Sequence, residues 1–331
     1  MDDAQALWGA RVSGCVRELD AASTAYGRRA GRVPQRRVIA IGGGKGGIGK
    51  SLIAASLGVH LSQLGQRVVL MDADLGGANL HTCLGMKPPK RTLSDFVERR
   101  CDTLGELVSP TGMPRLGLIS GAQDVLAAAN PKYAQKQRLL REVTRLDVDV
   151  VIIDLGGGTG FNILDFFLVA DDGVLTVVPE PTSIENAYRF IKAACYRRIK
   201  LLDVSWHLRP LVEQAINQVG GRGVQTPAEL VRYVRQRDPR AANLLYTEMA
   251  SSALHLVVNQ TRSAQEDRLG HAISAACQRY FGVPLHFLAA IPYDDEVWKA
   301  VRRRRPLILE NPQARASLAI RRLAGALGFQ E

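Results

Sequence analysis

The sequence of 331 residues predicts an α/β fold with a mainly parallel, doubly wound sheet and helices on both faces. Apolar runs of strand length alternate with longer segments of helical pattern, as expected for strands joined by crossover helices. The runs begin at Val38, Val68, Leu116, Val150, Val174, Leu254 and Leu288. A glycine-rich turn follows the first run, and 46% of the residues are hydrophobic, which is enough for a sizeable core.

The composition of the chain changes near residue 37. Residues 1–36 alternate charged and small residues and end in the basic stretch GRRAGRVP, which predicts an N-terminal extension with a short helix and a basic linker. We expect residues 37–331 to form the folded domain. Between Leu202 and Ala250 the alternation of apolar runs and helical segments is interrupted by polar sequence of helical pattern. This interruption predicts a helical insertion near residues 203–250.

The net charge of +11 favours an anionic partner such as DNA, an acidic membrane surface or a phosphorylated ligand. Charge alone names no partner, and a merely soluble basic protein fits equally well. The five cysteines form no CxxC pair, which suits reduced thiols in a cytosol and predicts no metal–thiolate site. The N-terminus opens acidic and lacks an apolar signal region, and no apolar run is long enough to cross a bilayer. We therefore expect a cytoplasmic protein.

The segment GKGGIGKS at residues 44–51 fits the phosphate-loop pattern GxxxxGK[ST] and lies between the first apolar run and a helical segment. In such a loop the backbone N–H groups and the helix N-terminus surround the phosphates, the lysine reaches the terminal phosphates and the Ser51 hydroxyl binds Mg²⁺. The pattern therefore predicts a P-loop NTPase. The residues expected to contact the nucleotide here are Gly44, Gly46, Gly47, Ile48, Gly49, Lys50 and Ser51.

Lys45 is a second lysine in this loop, and the phosphate chemistry does not explain it. A second ammonium in the cradle of Lys50 would be repelled by the first, so Lys45 must point elsewhere. It is either a solvated loop residue or a group that acts outside its own nucleotide site.

The loop KGGIGKS resembles the deviant phosphate loop of the MinD/ParA group. The resemblance implies that Lys45 crosses a dimer interface to the partner's nucleotide, and that two chains enclose ATP in a sandwich dimer. A charge supplied in trans can be worth about 10³ to 10⁵ in rate, as for an arginine finger. The segment DADLGGANLHTCLG and the basic extension resemble most the FlhG/YlxH (FleN-like) branch, which sets flagellar number and place.

Two aspartates, Asp72 and Asp74, follow the second apolar run, at the strand end where open α/β sheets bind ligands. The resemblance places them in the first switch and implies that Asp74 orients the attacking water. Asp72 either supports Mg²⁺ or the loop, or caps the strand end. Asp154 ends a further apolar run in the form of a Walker B element, whose carboxylate holds Mg²⁺ directly or through water. Gly156 to Gly158 would allow a mobile second switch.

The segment LVVNQTR bears on the choice of base. Arg262 stands where a guanine-reading NKxD loop has its aspartate, and an arginine only donates hydrogen bonds, so ATP is favoured over GTP. Asn259 either faces the adenine ring or is a strand-end turn residue. Pro292 in AAIPYDD aligns with the family's other adenine-contacting turn.

Partner surfaces leave alternatives open. Arg302 to Arg305 form either a solvated helix end or a phosphate-binding surface. The terminal segment ARASLAIRRLAGALGF is either the last core-packing helix or a membrane-binding helix, and its lack of aromatics favours the core. The helix that starts near Pro179 is expected to face a dimer partner or another protein. The second switch is followed by Phe161 rather than a cysteine, so we expect no iron–sulfur cluster.

The phosphate loop and the carboxylates predict a Mg²⁺-dependent ATPase, and the resemblance to the MinD/ParA group implies that it dimerises with ATP and switches between two states. Such a switch would position or regulate a cellular structure, in flagellar placement, cell division or DNA partition, with slow hydrolysis stimulated by an activating protein partner. The alternatives are an ATP-controlled anti-activator with incidental hydrolysis and a metabolic phosphotransferase of the same fold. Peripheral attachment to the inner membrane or the nucleoid would follow from the anionic-surface alternative.

Overall fold

The computed structural model describes residues 36–74, 77–121, 133–201, 212, 214, 224, 226–250 and 253–330. Nearly all of the predicted extension at residues 1–36, and most of the first half of the predicted insertion near 203–250, lie outside the described residues. The proposed division of the chain into an extension and a folded domain therefore stays a prediction.

The strands of the described residues are β1 (Arg37–Gly42), β2 (Val68–Asp72), β3 (Ser109–Pro110), β4 (Leu116–Ile119), β5 (Val150–Asp154), β6 (Asp172–Val177), β7 (Ala253–Thr261) and β8 (Leu285–Pro292). They form one sheet in the order β3-β4-β2-β5-β1-β6-β7-β8. Every apolar run that the sequence analysis singled out lies in a strand, and these strands pair in parallel. The short edge strand β3 pairs antiparallel with β4 and was not predicted.

The helices in the same part of the chain are α1 (Lys50–Gln63), α2 (Leu80–Cys83), α3 (Leu93–Val97), α4 (Tyr133–Val143), α5 (Phe161–Leu168), α6 (Pro181–Leu201), α7 (Pro227–Arg235), α8 (Pro239–Ala250), α9 (Ala264–Phe281), α10 (Asp295–Arg303), α11 (Leu307–Glu310) and α12 (Arg315–Ala326). A 3₁₀ turn spans Leu104–Leu107.

Both faces of the sheet are covered by helices. Successive side chains of a strand point to opposite faces, and on β1 Ile39 and Ile41 pack with α1 and α12 whereas Val38 and Ala40 pack with α5 and α6. Because its side chains alternate in this way, β1 lies between two hydrophobic cores, one on each face of the sheet. The predicted doubly wound α/β fold is confirmed.

The last helix, α12, contributes to one of these cores. Ala316, Ile320, Leu323 and Leu327 are all buried, and α12 packs against α1 and β8. The core-packing alternative for the terminal segment is therefore confirmed, because its apolar stripe faces the sheet. No helix in the described ranges is both long and apolar enough to span a bilayer.

Two helices, α7 and α8, lie inside the predicted insertion and pack against α6. The start of α7 follows from a local signal: Thr226 accepts a hydrogen bond from the Glu229 backbone, and the Glu229 side chain accepts one from the Thr226 N–H. Leu230 and Leu245 are fully buried between these helices and the core. The described residues 227–250 are thus largely helical, and their assignment to an insertion stays a prediction.

Candidate nucleotide site

The phosphate loop runs from the end of β1 to the first turn of α1, and glycines shape it. Gly47 and Gly49 have φ of +76° and +91°, in the left-handed region that favours glycine. At Gly44 a Cβ would clash with the backbone oxygen of Asn186 on α6, and at Gly49 with the amide of Asn259. The loop is therefore held closely against α6 and β7, with its N–H groups at the helix N-terminus.

Lys50 lies inside this loop. Its side chain is 7% exposed, and Nζ donates to the backbone oxygen of Lys45 at 3.0 Å. Burial lowers the pKa of Lys50, and the nearby Asp154 and Asp74 carboxylates oppose that change. The ammonium is therefore buried within the loop, and its role toward phosphate stays a prediction.

Lys45 points away from the loop interior. Its Nζ is 2.9 Å from Oε2 of Glu180, the residue that precedes α6, and the two side chains are 43% and 56% exposed. The two lysines therefore separate as the sequence predicted, one inward and one outward. The sequence analysis missed Glu180, which lies in the short connection between β6 and α6 and has no motif of its own.

Asp154 ends β5 beside Ser51. The carboxylate is 2% exposed, and a hydrogen bond links it to the Ser51 side chain. Its Oδ1 is buried and, among the described residues, has no hydrogen-bond partner. Burial, together with repulsion from Asp72, raises the pKa of Asp154 to about 7. A buried carboxylate oxygen without a partner, next to a hydroxyl at the phosphate loop, fits a cation ligand.

The Asp154 carboxylate and the Ser51 hydroxyl suit one particular way of binding Mg²⁺. Within the described part of the chain, no group of three or more His, Cys, Asp or Glu side chains has the arrangement of a metal site. Mg²⁺ commonly keeps several waters and is held by one or two carboxylates together with substrate phosphates. Asp154 and Ser51 fit that mode.

Asp72 is buried at the end of β2 and organises the segment that follows. Its carboxylate accepts hydrogen bonds from the backbone N–H groups of Leu80, at 2.9 Å, and Asp74, at 3.1 Å. Burial raises the pKa of Asp72 to about 6, although these hydrogen bonds act in the opposite direction. Of the three roles considered for Asp72, these hydrogen bonds fit support of the following loop and a strand-end cap, and a direct role at Mg²⁺ stays a prediction.

Asp74 lies where the two switches meet. A Cβ on Gly156 would come 3.2 Å from the carboxylate carbon of Asp74, and a Cβ on Gly157 would come 2.8 Å from the backbone nitrogen of Gly46. The glycines after β5 thus let the second switch approach both the first switch and the phosphate loop. Asp74 is half-buried, and its carboxylate is close enough to Lys50 to favour the charged ammonium.

Asn259 makes a contact that the sequence did not predict. Its side chain is buried at the end of β7, and Nδ2 donates to the backbone oxygen of Ile48 at 2.8 Å. The amide therefore braces the phosphate loop from a strand 211 residues away in sequence. A contact between Asn259 and the adenine ring stays a prediction.

A cavity of about 410 Å³ opens at the carboxyl ends of β7 and β8, a volume in the range of small-molecule sites. Its lining residues are Thr261, Arg262, Ser263, Ala264, Asp267, Pro292, Tyr293 and Arg315. The Arg262 guanidinium lies 3.9 Å from the centre of the Tyr293 ring, and the Tyr293 N–H donates to the Thr261 oxygen at 2.8 Å. Pro292 thus lines a cavity at the carboxyl end of β7, the strand whose Asn259 side chain contacts the phosphate loop.

The comparisons agree with this geometry. The sequence profile of the ParA family, described as NUBPL iron-transfer P-loop NTPase, matches residues 35–205. The antiactivator FleN of Pseudomonas aeruginosa is 30% identical over 290 residues, which cover 87% of this chain and 85% of FleN. The chain belongs to the ParA/MinD family of P-loop NTPases.

Two further family members define the likeness. The flagellum site-determining protein YlxH of Helicobacter pylori is 34% identical over 158 residues, which cover 47% of this chain and 53% of YlxH. The structure of the septum site-determining protein MinD of Pyrococcus horikoshii, complexed with Mg-ADP, matches with a TM-score of 0.60 at 20% identity and covers 88% of this chain and 96% of that chain. FleN and YlxH confirm the resemblance to the FlhG/YlxH branch, and MinD confirms the fold.

In this ParA/MinD-family chain, the structure brings Lys50, Ser51, Asp74 and Asp154 together at one edge of the sheet. It separates Lys45 from that group and joins it to Glu180. The individual roles of these residues toward ATP stay a proposal.

Proposed function

We propose that this chain is a Mg²⁺-dependent ATPase that dimerises with ATP and acts as a nucleotide-timed switch in placing or counting a cellular structure. The observation that carries the proposal is the separation of the two loop lysines. Lys50 is buried in the phosphate loop, whereas Lys45 is outside it and paired with Glu180 at the protein surface. An action outside its own nucleotide site would account for Lys45, which the chemistry of a single-site phosphotransferase does not require.

Each residue of the site would have a separate role toward ATP. Lys50 and the loop N–H groups bind the terminal phosphates, and Asp74 aims a water at the γ-phosphate, a task that needs positioning more than basicity. Ser51 and Asp154 would hold Mg²⁺, with Asp72 supporting the loop, and the bound ion would neutralise charge on the β- and γ-phosphates. Adenine would enter the cavity beside Pro292 and Asn259, where Arg262 disfavours guanine.

The dimer step uses Lys45. Exposed ion pairs contribute about 0 to 1 kcal/mol, and both side chains of the Lys45–Glu180 pair are exposed. Lys45 can therefore leave Glu180 at little cost and reach the nucleotide of a second copy. ATP, with its γ-phosphate, would favour this state, and hydrolysis would release it.

The likeness to the antiactivator FleN and to YlxH supports a role in flagellar number or placement. The word antiactivator in the name of FleN also favours one alternative, in which the ATP-bound state blocks another protein and hydrolysis is incidental. In either case we expect a cytoplasmic protein with an activating or regulated protein partner. Iron transfer, named in the family profile, is not proposed, because Phe161 and not a cysteine directly follows the second switch.

Light scattering coupled to size-exclusion chromatography tests the proposal, with the chain alone, with ADP and Mg²⁺, and with ATP and Mg²⁺. Phosphate release is measured on the same samples, with and without DNA or acidic vesicles. A dimer that forms only with ATP and hydrolyses it slowly supports the switch. Rapid turnover of a small substrate by a monomer would instead support the phosphotransferase. An ATP dimer whose cellular effect survives in a hydrolysis-dead variant would favour the antiactivator.

A further inference from the structure

Asp165 is a buried carboxylate on α5 that receives cations from two neighbouring helices. Lys136 of α4 places Nζ 2.5 Å from Oδ2, and Arg197 of α6 donates to Oδ1 from Nε at 2.6 Å and to Oδ2 from Nη2 at 2.9 Å. Asp165 is 2% exposed and Lys136 is 6% exposed. One carboxylate thus joins α4, α5 and α6 at a single point.

This ion cluster lies one helical turn from the second switch. α5 begins at Phe161, directly after the glycine-rich segment, and Asp165 lies four residues later on the same side of the helix. The guanidinium carbon of Arg197 is also 5.0 Å from the centre of the Phe161 ring, although Phe161 is 64% exposed. Arg197 therefore contacts both the first residue of α5 and the carboxylate one turn further along.

The other end of α6 contacts the phosphate loop. Its backbone at Asn186 packs directly against Gly44, and Glu180, just before the helix, pairs with Lys45. Asn186 and Arg197 are separated by about 16 Å along the helix axis at 1.5 Å per residue. α6 is thus one continuous helix that touches the phosphate loop near its start and the head of α5 near its end.

The second switch completes the connection back to the site. It begins after Asp154 and ends at Phe161, and on the way Gly156 approaches Asp74 and Gly157 approaches Gly46. A shift of α5 along its axis would move these glycines, because only a few residues separate them from its first turn.

We propose that Arg197 is a positioning residue for ATP hydrolysis. By holding Asp165 and Phe161 it fixes the start of α5, and so the position of the second switch against Asp74. Because Arg197 belongs to α6, it couples this position to the helix that borders Lys45. This inference rests on the proposed ATPase function and adds a residue outside the nucleotide site on which the rate of hydrolysis depends.

Three full-length variants test the inference. Arg197→Gln removes the positive charge and the two-pronged hydrogen bond to Asp165, but leaves Lys136 to neutralise that carboxylate. Arg197→Lys keeps the charge but cannot make the two-pronged hydrogen bond or cover the ring. Arg189→Gln, on an exposed turn of the same helix, removes a surface arginine paired with Glu185 and serves as the matched control.

For each variant, the affinity for a fluorescent ATP analogue, ATP-dependent dimer formation, the melting temperature and the single-turnover hydrolysis rate are measured. We expect Arg197→Gln to bind nucleotide and dimerise as the wild type does, with a hydrolysis rate lower by about 10- to 100-fold, the size of effect that a displaced catalytic group can have. Arg197→Lys should recover part of the rate, and Arg189→Gln should match the wild type.

A purely structural cluster gives a different pattern: the melting temperature falls, while the rate per folded, nucleotide-bound molecule does not. That pattern, or wild-type hydrolysis by both Arg197 variants, would overturn the inference. If Arg197→Gln does not fold, the hydrolysis rate of Arg197→Lys alone tests the inference, because this variant keeps the positive charge next to Asp165. Absence of hydrolysis in the wild-type chain would count against the proposed function instead.

Discussion

Nζ of Lys45 lies 2.9 Å from Oε2 of Glu180, so the surplus lysine of the phosphate loop is paired within its own chain. For Lys45 to act on the nucleotide of a second copy, this pair has to open. Glu180 therefore holds Lys45 in an ion pair that the proposed dimer contact would have to replace.

Replacing Glu180 by Gln should make the ATP-bound dimer tighter, because Lys45 no longer has to leave an ion pair. The gain should be up to about 30-fold in the dimer dissociation constant, since two such pairs open per dimer and each exposed pair contributes at most about 1 kcal/mol. Sedimentation equilibrium with ATP and Mg²⁺ measures it, and Glu185→Gln on the next turn of α6 is the control. A weaker dimer would mean that Glu180 itself contacts the partner.

Lys50→Ala should abolish ATP binding, whereas Lys45→Ala should keep it and lose the dimer. The reason is that Lys50 is buried in the loop and Lys45 points out of it. Isothermal titration with ATP, followed by light scattering, distinguishes the two variants. Equal loss of ATP binding in both would contradict an action of Lys45 in trans.

Asp74→Ala should trap the ATP-bound dimer. The variant keeps Lys50, Ser51 and Asp154, but lacks the carboxylate that aims water at the γ-phosphate. Chromatography with ATP and Mg²⁺ should show a lasting dimer, and phosphate release should be nearly absent. A monomer, or hydrolysis at the wild-type rate, would remove Asp74 from this role and shift attention to Asp72.

Asp172 should stabilise the fold without affecting the nucleotide site, because it lies at the amino end of β6, at the opposite edge of the sheet. Burial acts to raise its pKa, but hydrogen bonds from His255 and Arg37 outweigh burial and lower the pKa to about 2. A carboxyl with a lowered folded-state pKa stabilises the protein above its unfolded pKa, near 4, and loses that contribution as the pH falls toward 2.

Asp172→Asn should therefore lower the free energy of unfolding at pH 7 by about 2 kcal/mol, because folding lowers the pKa of Asp172 from its ordinary value near 4 to about 2. Urea unfolding of both proteins between pH 7 and pH 3 checks this, and the difference should shrink below pH 4. ATP binding should be unchanged. A difference that is constant with pH would show that the charge of Asp172 is not the cause.

The arginine run is only partly available to a partner. Arg303 and Arg305 both pair with Glu310, whereas Arg302 lies over the ring of exposed Trp298, at 4.6 Å from its centre. Replacing Arg302 and Arg304 by Gln should weaken ATP-dependent attachment to DNA or acidic vesicles. On duplex DNA the salt slope should fall by about 0.9 for each phosphate that the variant no longer neutralises.

Sedimentation with DNA and with vesicles, at several salt concentrations, measures this attachment. The double variant Arg141→Gln and Arg322→Gln removes the same charge from other exposed positions and is the control. If affinity and salt slope stay the same in the test variant, the run is a solvated helix end.

Much of the fold was predictable because strands covered on both faces are continuous apolar runs in the sequence. β3 was not, since Ser109 and Pro110 form no such run and are a strand only through their pairing with Leu118 and Gly117. The phosphate loop was predictable because its chemistry is local to eight residues.

Other parts of the site depend on contacts between distant segments. Glu180 is 135 residues from Lys45, and Asn259 is 211 residues from Ile48, so neither contact has a local pattern. Asp72 shows a different limit. An aspartate at a strand end has the same appearance in sequence whether it binds a cation or accepts the N–H groups of the following turn.

The burial of α12 changes the meaning of any C-terminal deletion in this protein. Ile320 and Leu323 are fully buried, and losing a buried side chain of this size typically costs about 2 to 5 kcal/mol. Two such losses rival the whole stability of an ordinary domain, about 5 to 15 kcal/mol. A shortened chain that is missing from its normal place in the cell would thus report unfolding and degradation, not a lost anchor. Substitutions on the exposed side of α12, such as Arg322→Glu, can distinguish loss of an anchor from loss of the fold.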